Sequence, residues 1–542
     1  MTTPDAPRSW PLRAVPSDLA DRYRAEGWWA DTSLGQMVAD GLAAKGDATF
    51  AVHSKVHSWR GTMADIDRAA RAFASSLRRR GVGAGDVVVF QLPNWVEAGI
   101  VFWGAAYVGA VVVPVVHFYG PKELGYIVAA TAPKVVVTAD RFGRLEYLEP
   151  HESLLAGGDT TWLVVGETPP GDVPSAATPF ASLLDDEPLP GPEPVDPGSP
   201  AIIAFTSGTT RDPKGVIHSH NTIGFEVRQL NMLNPGVGPP VITGAPVGHF
   251  IGMLSALLCS LLRSDPVNLV DVWDPGEVLR LMVAEDLGMG GGATYFLTSL
   301  LDHPDFTEEH LARMPYAGLG GSTVPVAVTQ RATDLGIEVY RSYGSTELPS
   351  ATGCTLDEPR EKRQKTDGRP LLGVELRLDD AGQILLRGPE LFLGYTDPEL
   401  TAQVFDADGW YRSGDVGVLD DDGYLAITDR TSDVIIRGGE NISAIEVEEQ
   451  LLGLEAVAEV SVVAVPDERL GERAAAIIRV RDGMTAPTLE EVRAHLAAVG
   501  LAKQKWPESL CEVADFPRTP SGKVQKFRLR QQLRDGALAL SR

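Results

Sequence analysis

Thr206-Ser207-Gly208-Thr209-Thr210-Arg211-Asp212-Pro213-Lys214-Gly215 stands directly after the apolar, β-branched run at residues 201–205. A strand that ends in hydroxyls, exposed amides and a lysine gathers several hydrogen-bond donors in one loop, which suits a polyphosphate. The loop is not a Walker A motif, because Gly215 follows Lys214 where that motif needs Ser or Thr, and the glycine spacing differs. By itself the stretch also reads as an ordinary Ser/Thr-rich turn. The chain around it separates the two readings.

Short β-branched runs recur at 87–92, 134–138 and 162–165, with helix-like segments such as 63–80 beside them. This alternation predicts an α/β fold, with parallel sheets covered by helices. Residues 98–116 carry no charge over a length that would span a bilayer. Small and aromatic residues up to Gly109, then a valine run ending at Pro114, instead predict a buried helix–turn–strand unit. The Pro-, Gly- and acid-rich stretch 169–200 predicts an exposed connection between two subdomains.

After Asp429-Arg430-Thr431-Ser432-Asp433 the pattern restarts on a smaller scale. Ser443 and Glu446 have capping-box spacing before a helix reaching residue 452, strands follow at 457–465 and 474–480, and Thr488 with Glu491 starts another helix. Two domains are therefore expected: a large one over 1–430 and a compact α+β one over 431–542. A chain of 542 residues exceeds what one hydrophobic core organises.

The net charge of −25 opposes nucleic acid and anionic membrane surfaces as partners. Anionic substrates would need local positive clusters. Cys259, Cys354 and Cys511 lack C-x-x-C spacing, so neither a disulfide framework nor a thiolate metal site is expected, and a reducing, cytoplasmic setting fits. The N-terminal residues show no apolar core of a signal peptide, and the C-terminal ones no peroxisomal address.

Three further segments carry candidate chemistry. Tyr343-Gly344-Ser345-Thr346-Glu347 joins an aromatic face, a tight turn, a hydroxyl and a carboxylate. Mg²⁺ takes one or two carboxylates plus phosphate oxygens and water, a share that Glu347 beside Thr346 can supply. Trp410-Tyr411-Arg412-Ser413-Gly414-Asp415 sets a carboxylate at a turn, where it can accept from two adjacent ribose hydroxyls. Pro517-Arg518-Thr519-Pro520-Ser521-Gly522-Lys523 places a lysine in a loop near the C-terminus. Alone, these read equally as a strand-end turn, a β-turn Asp and a solvated lysine.

In order and spacing the four segments resemble the adenylate-forming (AMP-binding) superfamily, in its acyl- and aryl-CoA synthetase branch. The resemblance runs from near Leu34 to near Leu529 and includes Gly320-Gly321-Ser322, Asp429-Arg430 and Gly438-Gly439-Glu440-Asn441-Ile442. It implies a large N-terminal domain of stacked sheets and a small C-terminal lid that swings between two poses. It also implies the reaction: ATP converts a carboxylic acid to an acyl-adenylate, and coenzyme A takes the acyl group, with Mg²⁺ as cofactor.

The resemblance assigns roles in turn. Lys523 bridges the carboxylate and the α-phosphate; Thr206, Ser207, Gly208, Thr209, Thr210 and Lys214 hold the β- and γ-phosphates; Thr346 and Glu347 manage phosphate and Mg²⁺. Tyr343, Gly344, Gly320, Gly321 and Ser322 flank adenine, Asp415 and Arg430 hold ribose, and Gly438-Gly439 form the thiol tunnel. His249, in Pro246-Val247-Gly248-His249-Phe250, matches the aromatic gate of the acyl pocket. Departures are Arg211, where the family usually has Gly, Ser432 at the hinge, where Asp or Lys is usual, and Arg437, a candidate for a coenzyme A phosphate or a solvated side chain.

Amino-acid-activating relatives place an Asp early in the segment matching 246–253, and none stands there. A neutral pocket near Phe250, Ile251, Met253 and Leu254 favours an aliphatic, alicyclic or aryl acid. Tyr23-Arg24-Ala25-Glu26-Gly27-Trp28-Trp29 resembles the entry of cyclohexanecarboxylate-CoA ligases and of dihydroxybenzoate-adenylating enzymes. The latter carry His-Asn-Tyr where this chain has His249-Phe250-Ile251, so an aryl acid ligase loading a carrier protein ranks second. A non-catalytic nucleotide- or acyl-binding homologue ranks behind both.

Overall fold

The structure is a computed structural model that describes residues 9–541 save 157, 170–171, 207–212, 264–265, 323, 431–432, 438–439 and 520–521. Strands Val87–Gln91, Val111–Val115 and Val135–Ala139 are buried on both faces, as their unbroken apolar runs require of a helix-covered parallel sheet. They form the middle of an eight-stranded sheet in the order Gly394–Tyr395, Lys214–Ser219, Pro200–Thr206, Val111–Val115, Val87–Gln91, Val135–Ala139, Thr161–Val165, Ala177–Pro179. Pairing is parallel from Pro200–Thr206 to the last strand and antiparallel around Lys214–Ser219.

The uncharged stretch begins within the helix Val96–Tyr107, after Glu97, and runs through the strand Val111–Val115. A helix apolar all round must be packed all round. Gly104 lets it approach the helix Met63–Arg79 so closely that a Cβ there would stand 2.8 Å from the Ala70 carbonyl oxygen. Among the described residues no helix is long and apolar enough to cross a membrane.

The connection 169–200 differs from expectation in what it joins. Its described residues are largely exposed or half-buried, as expected, but they join two strands of one sheet and not two subdomains, and Ala177–Pro179 extends that sheet's edge. Phe180 packs 5.1 Å from Phe73 by ring centroids, and Leu183 and Leu189 are buried. Polar composition masked these few apolar anchors, which suffice to pin the segment.

A second sheet runs Gly291–Gly292, Tyr316–Gly320, Glu338–Tyr343, Thr352–Gly353, Arg369–Pro370, its first three strands parallel. Gly320 and Tyr343 thus end adjacent parallel strands, the place where open α/β sheets form ligand crevices. A third, antiparallel sheet carries Glu375–Leu378, Gln383–Arg387, Tyr411–Leu419 and Leu425–Arg430.

Beyond Arg430, the strands Ile435–Arg437, Glu440–Ile442, Val457–Asp467, Gly471–Val480 and Ser509–Glu512 share another sheet. Ile435, Val447, Leu451, Val462, Ile478, Val492 and Leu496 form a core of their own there. Thr488 and Glu491 complete their capping box before the helix Leu489–Ala498. Ser443 accepts from the Glu446 amide, but the Glu446 carboxylate turns to Lys505, so that box is half made.

Candidate active site

Asp415 does not sit at a turn. It lies within the strand Tyr411–Leu419, in register with Arg430. The Ser413-Gly414 pair that reads as a turn is a bulge: on the neighbouring strand Gln383 and Leu385 face Val416 and Arg412, and Gly414 takes a φ of +78°. The bulge re-aims a carboxylate inside a strand, and only cross-strand pairing reveals it. Asp415 Oδ1 accepts from Arg430 Nε at 2.6 Å and Oδ2 from the Tyr343 hydroxyl at 2.6 Å. Burial and the neighbouring Asp415 hold the Tyr343 phenol well above its ordinary pKa, so it keeps the proton it donates. Asp415 in turn holds Arg430 firmly cationic.

Tyr343 leads into a turn that only glycine permits, since a Cβ on Gly344 would stand 1.8 Å from the Pro349 carbonyl oxygen. The Ser345 amide donates to Leu348 at 3.0 Å and the Ala351 amide to Tyr343 at 2.9 Å. The edge of the large sheet supports this turn from behind. His218 Nε2 donates to the Thr346 carbonyl at 2.7 Å, the Tyr395 hydroxyl to Glu347 Oε1 at 2.7 Å, and the Phe392 amide to the Glu347 carbonyl at 2.9 Å. Burial pushes His218 down to about 4, which leaves it neutral, and its ring stacks on Phe250 at 5.1 Å.

Thr206 and Lys214 are paired across the antiparallel ladder, so both ends of the phosphate-loop candidate are clamped together. The Lys214 ammonium stands 5.6 Å from the Tyr395 ring. Gly320 pairs with Ser342 so closely that a Cβ would meet the Ser342 carbonyl oxygen at 2.7 Å, and Gly321 takes a φ of +72°. Residues 320–322 therefore run beside the strand that delivers Tyr343. The candidates Ser207, Gly208, Thr209, Thr210, Gly438 and Gly439, with Arg211 and Ser432, lie outside the described residues.

The C-terminal loop reaches the same place. The Thr519 amide donates to the Lys523 carbonyl at 2.7 Å and the Lys523 amide to Thr519 Oγ1 at 3.0 Å, closing a hairpin-like loop. Gly522, at φ +83°, lies against Tyr295 and Ala293, where a Cβ would meet the Tyr295 Cβ at 3.2 Å. The Arg518 guanidinium sits 4.9 Å above the Tyr295 ring. Burial lowers Lys523 to about 8, with Arg430 adding to the fall while Asp415 and Glu347 oppose it.

His249 is lowered to about 4 by burial and then by Lys523, and among the described residues its buried Nδ1 has no partner. It precedes the short helix Phe250–Met253, in a segment that Asn94 grips: Asn94 Oδ1 accepts from the Val247 amide at 2.7 Å, and Nδ2 donates to Ala245 at 3.2 Å.

Lys523, His249, Glu347, Asp415 and Arg430 thus converge from both parts of the chain. Arg437 is half-buried and not free to meet a phosphate; it pairs with Glu508 at 2.6 Å. Residue patterns singled out Thr346 and Glu347 but missed His218, Tyr395 and Tyr295. The first two sit in buried strands and the third in an apolar helix, positions that announce a core and nothing more. Chemically, the cations Lys523, Lys214 and Arg430 suit an anionic ligand, while two carboxylates can accept hydroxyls or hold a divalent cation. Among the described residues no group of three or more His, Cys, Asp or Glu could hold a metal unaided.

The sequence profile described as AMP-binding enzyme matches residues 40–396, and that of the AMP-binding enzyme C-terminal domain matches 446–523. The chain is 33% identical over 523 residues to the medium-chain fatty-acid–CoA ligase of Escherichia coli (strain K12), covering 94% of this chain and 92% of that protein. It is 34% identical over 489 residues to a (7a-methyl-1,5-dioxo-octahydroinden-4-yl)propanoyl:CoA ligase of Rhodococcus jostii (strain RHA1), covering 87% and 93%. Among solved structures, ATP-bound MatB from Rhodopseudomonas palustris superposes with a TM-score of 0.81 at 26% identity, over 92% of this chain and 99% of that one.

Proposed function

The chain belongs to the AMP-binding enzyme family, and we infer that it is an AMP-forming acid–thiol ligase, which activates a carboxylic acid with ATP as an acyl-adenylate and passes the acyl group to coenzyme A. One observation carries this reading. Lys523, from the C-terminal loop, stands among the charges of Arg430, Asp415 and Glu347, all from the other part of the chain. In the first half-reaction a carboxylate oxygen attacks the α-phosphorus and pyrophosphate leaves. Two anions repel, so catalysis is mainly positioning and charge neutralisation.

Lys523 neutralises the carboxylate and α-phosphate oxygens. Asp415, oriented by Arg430 and Tyr343, accepts from the ribose hydroxyls. Thr206 and Lys214 clamp the ends of the loop that cradles the outer phosphates, and Gly320, Gly321 and Ser322 border adenine with Tyr343 and Gly344. Glu347 and Thr346 fit Mg²⁺: Tyr395 engages one carboxylate oxygen, and the remaining lone pairs suit a cation whose other ligands are phosphate oxygens and water. When bound, that ion neutralises charge on the departing pyrophosphate. For transfer, the C-terminal domain turns and withdraws Lys523. Neutral His249 gates the acyl pocket.

The acid is fatty, alicyclic or aryl. No acidic residue stands between 246 and 254, and Phe250 lines the segment with His249. The compartment is cytoplasmic, in keeping with buried cysteines that form no disulfide. The test is pyrophosphate release over a panel of medium-chain, alicyclic and aryl acids, followed by acyl-CoA appearance. An apolar acid should give both products. Failure of every acid to release pyrophosphate overturns the reading.

Two expectations concern the adenylating pose. The cationic form of Lys523 does the neutralising, and its pKa is lowered to about 8, so the form is present below that pH and lost above it. The kcat/KM for ATP–pyrophosphate exchange, which reports the free enzyme, should therefore decline above pH of about 8. A profile flat to pH of about 10, the ordinary lysine range, contradicts the assignment.

The Arg518–Tyr295 contact latches the loop. Tyr295→Leu removes a cation–π interaction worth about 0.5–2 kcal/mol and should slow adenylation about twofold to thirtyfold. Transfer from supplied acyl-adenylate should stay at the parent rate. Equal slowing of both halves means that Tyr295 only supports the fold.

A further inference from the structure

Arg13 lies far from the site in sequence, in the extended segment before the helix Ser17–Ala25. Burial pushes its guanidinium down to about 10, so it stays charged at neutral pH, and among the described residues it forms no ion pair with a carboxylate. It spends its donors on three successive carbonyls instead. The Arg13 amide donates to Leu393 at 2.9 Å, Nε to Phe392 at 2.8 Å and Nη2 to Leu391 at 3.3 Å, while the Phe405 ring lies 4.9 Å from the guanidinium.

The amide ends of those same peptide units hold the nucleotide site. The unit joining Leu391 to Phe392 accepts from Arg13 at its carbonyl and donates to the Glu347 carbonyl, at 2.9 Å, from its amide. The next unit accepts from Arg13 and donates at 2.7 Å to Ile217, on the strand Lys214–Ser219 that leaves the phosphate loop. A cationic donor on a carbonyl polarises its peptide and strengthens the bond made by the amide. The same charge acts on His218, the donor to Thr346, and favours its neutral form.

We propose that Arg13 is a positioning residue of the nucleotide site, fixing from behind the main chain of Glu347 and the strand that leaves the phosphate loop. This rests on the reading of Thr346, Glu347 and Lys214 as an ATP site.

The test uses the full-length enzyme with R13Q, which keeps a hydrogen-bonding head but no charge, and R13K, which keeps charge on a single point donor. Measured are the KM values for ATP and for the acid in ATP–pyrophosphate exchange, the Mg²⁺ titration, the transfer rate from supplied acyl-adenylate, and the thermal midpoint. R13Q should raise the ATP KM about tenfold or more and R13K less, since bonds to charged groups are the strong ones. The Mg²⁺ curve should move to higher concentration, while acid KM and transfer stay at parent values. Should R13Q fail to fold, R13K decides by the same criteria.

A lowered thermal midpoint with parental ATP KM and Mg²⁺ curve reduces Arg13 to a strut and overturns the proposal. So does a uniform loss across both half-reactions. Absence of exchange in the parent enzyme overturns the ATP reading itself, whereas exchange in the parent with unchanged variants overturns this inference alone.

Discussion

Replacing Lys523 by alanine should slow acid-dependent pyrophosphate release at least about a hundredfold, a loss of roughly 2.7 kcal/mol of transition-state stabilisation. The size follows from the site's composition. Arg430 is committed to Asp415, and Lys214 stands beside Tyr395 at the sheet edge, so neither is placed to replace the lost charge between carboxylate and α-phosphate. The fold should survive, because the loop is closed by main-chain and Thr519 bonds and not by the ammonium. Burial disfavours the charged lysine, so its removal should leave the thermal midpoint equal or higher. Single-turnover pyrophosphate release measures the first half, and thioester appearance from supplied acyl-adenylate the second, which should stay near the parent rate. Adenylate formation at parental speed refutes the role of Lys523. Loss of both halves makes the loop a general structural element.

Asp415→Ala should raise the ATP KM about fivefold to 150-fold, because two ribose hydroxyls left unpaired cost roughly 1–3 kcal/mol. A second effect separates this from plain loss of affinity. Asp415 raises the Lys523 pKa and Arg430 lowers it, so removing the carboxylate leaves Arg430 opposed by Glu347 alone. The alkaline limb of the exchange profile should then shift to lower pH. Asp415→Asn, which keeps the shape, should show the same pH shift with a smaller rise in KM. Nucleotide affinity unchanged by calorimetry removes the ribose role, and a fixed alkaline limb removes the electrostatic link to Lys523.

Much of this site was legible in the residues themselves. Thr206 to Lys214 reads as a donor-rich loop after a buried strand because hydroxyls, glycine and lysine are local chemistry, and the structure does put a strand before it and pair its ends. Tyr343 to Glu347 likewise reads as a turn, and Gly344 shows why: the Pro349 carbonyl leaves no room for a side chain. The apolar helix at 96–107 and the capping of the helix at 489–498 follow from composition and from spacing of three residues.

Other features were not legible. Asp415 looks like a turn residue because Ser413-Gly414 is turn chemistry, yet a neighbouring strand converts the turn into a bulge, and sequence holds no record of which strand that is. The same holds for 169–200, where Phe180, Leu183 and Leu189 outweigh the polar residues around them only once a core exists to bury them.

The sequence by itself determined the kinds of groups available, their order, and the short-range shapes that place each at a strand end, a turn or a loop, because propensity, capping and turn chemistry act over a few residues. Which groups share a site follows from the packing of distant segments. The pairing of Arg430 with Asp415, the donation of His218 and Tyr395 to Thr346 and Glu347, the reach of Arg13 to Leu391 and Phe392, and the closing of Lys523 on His249 span from 15 to 379 residues. Such contacts form when separate apolar faces pack together. The sequence encodes that packing collectively, in the burial of whole sheets, and no local motif carries it.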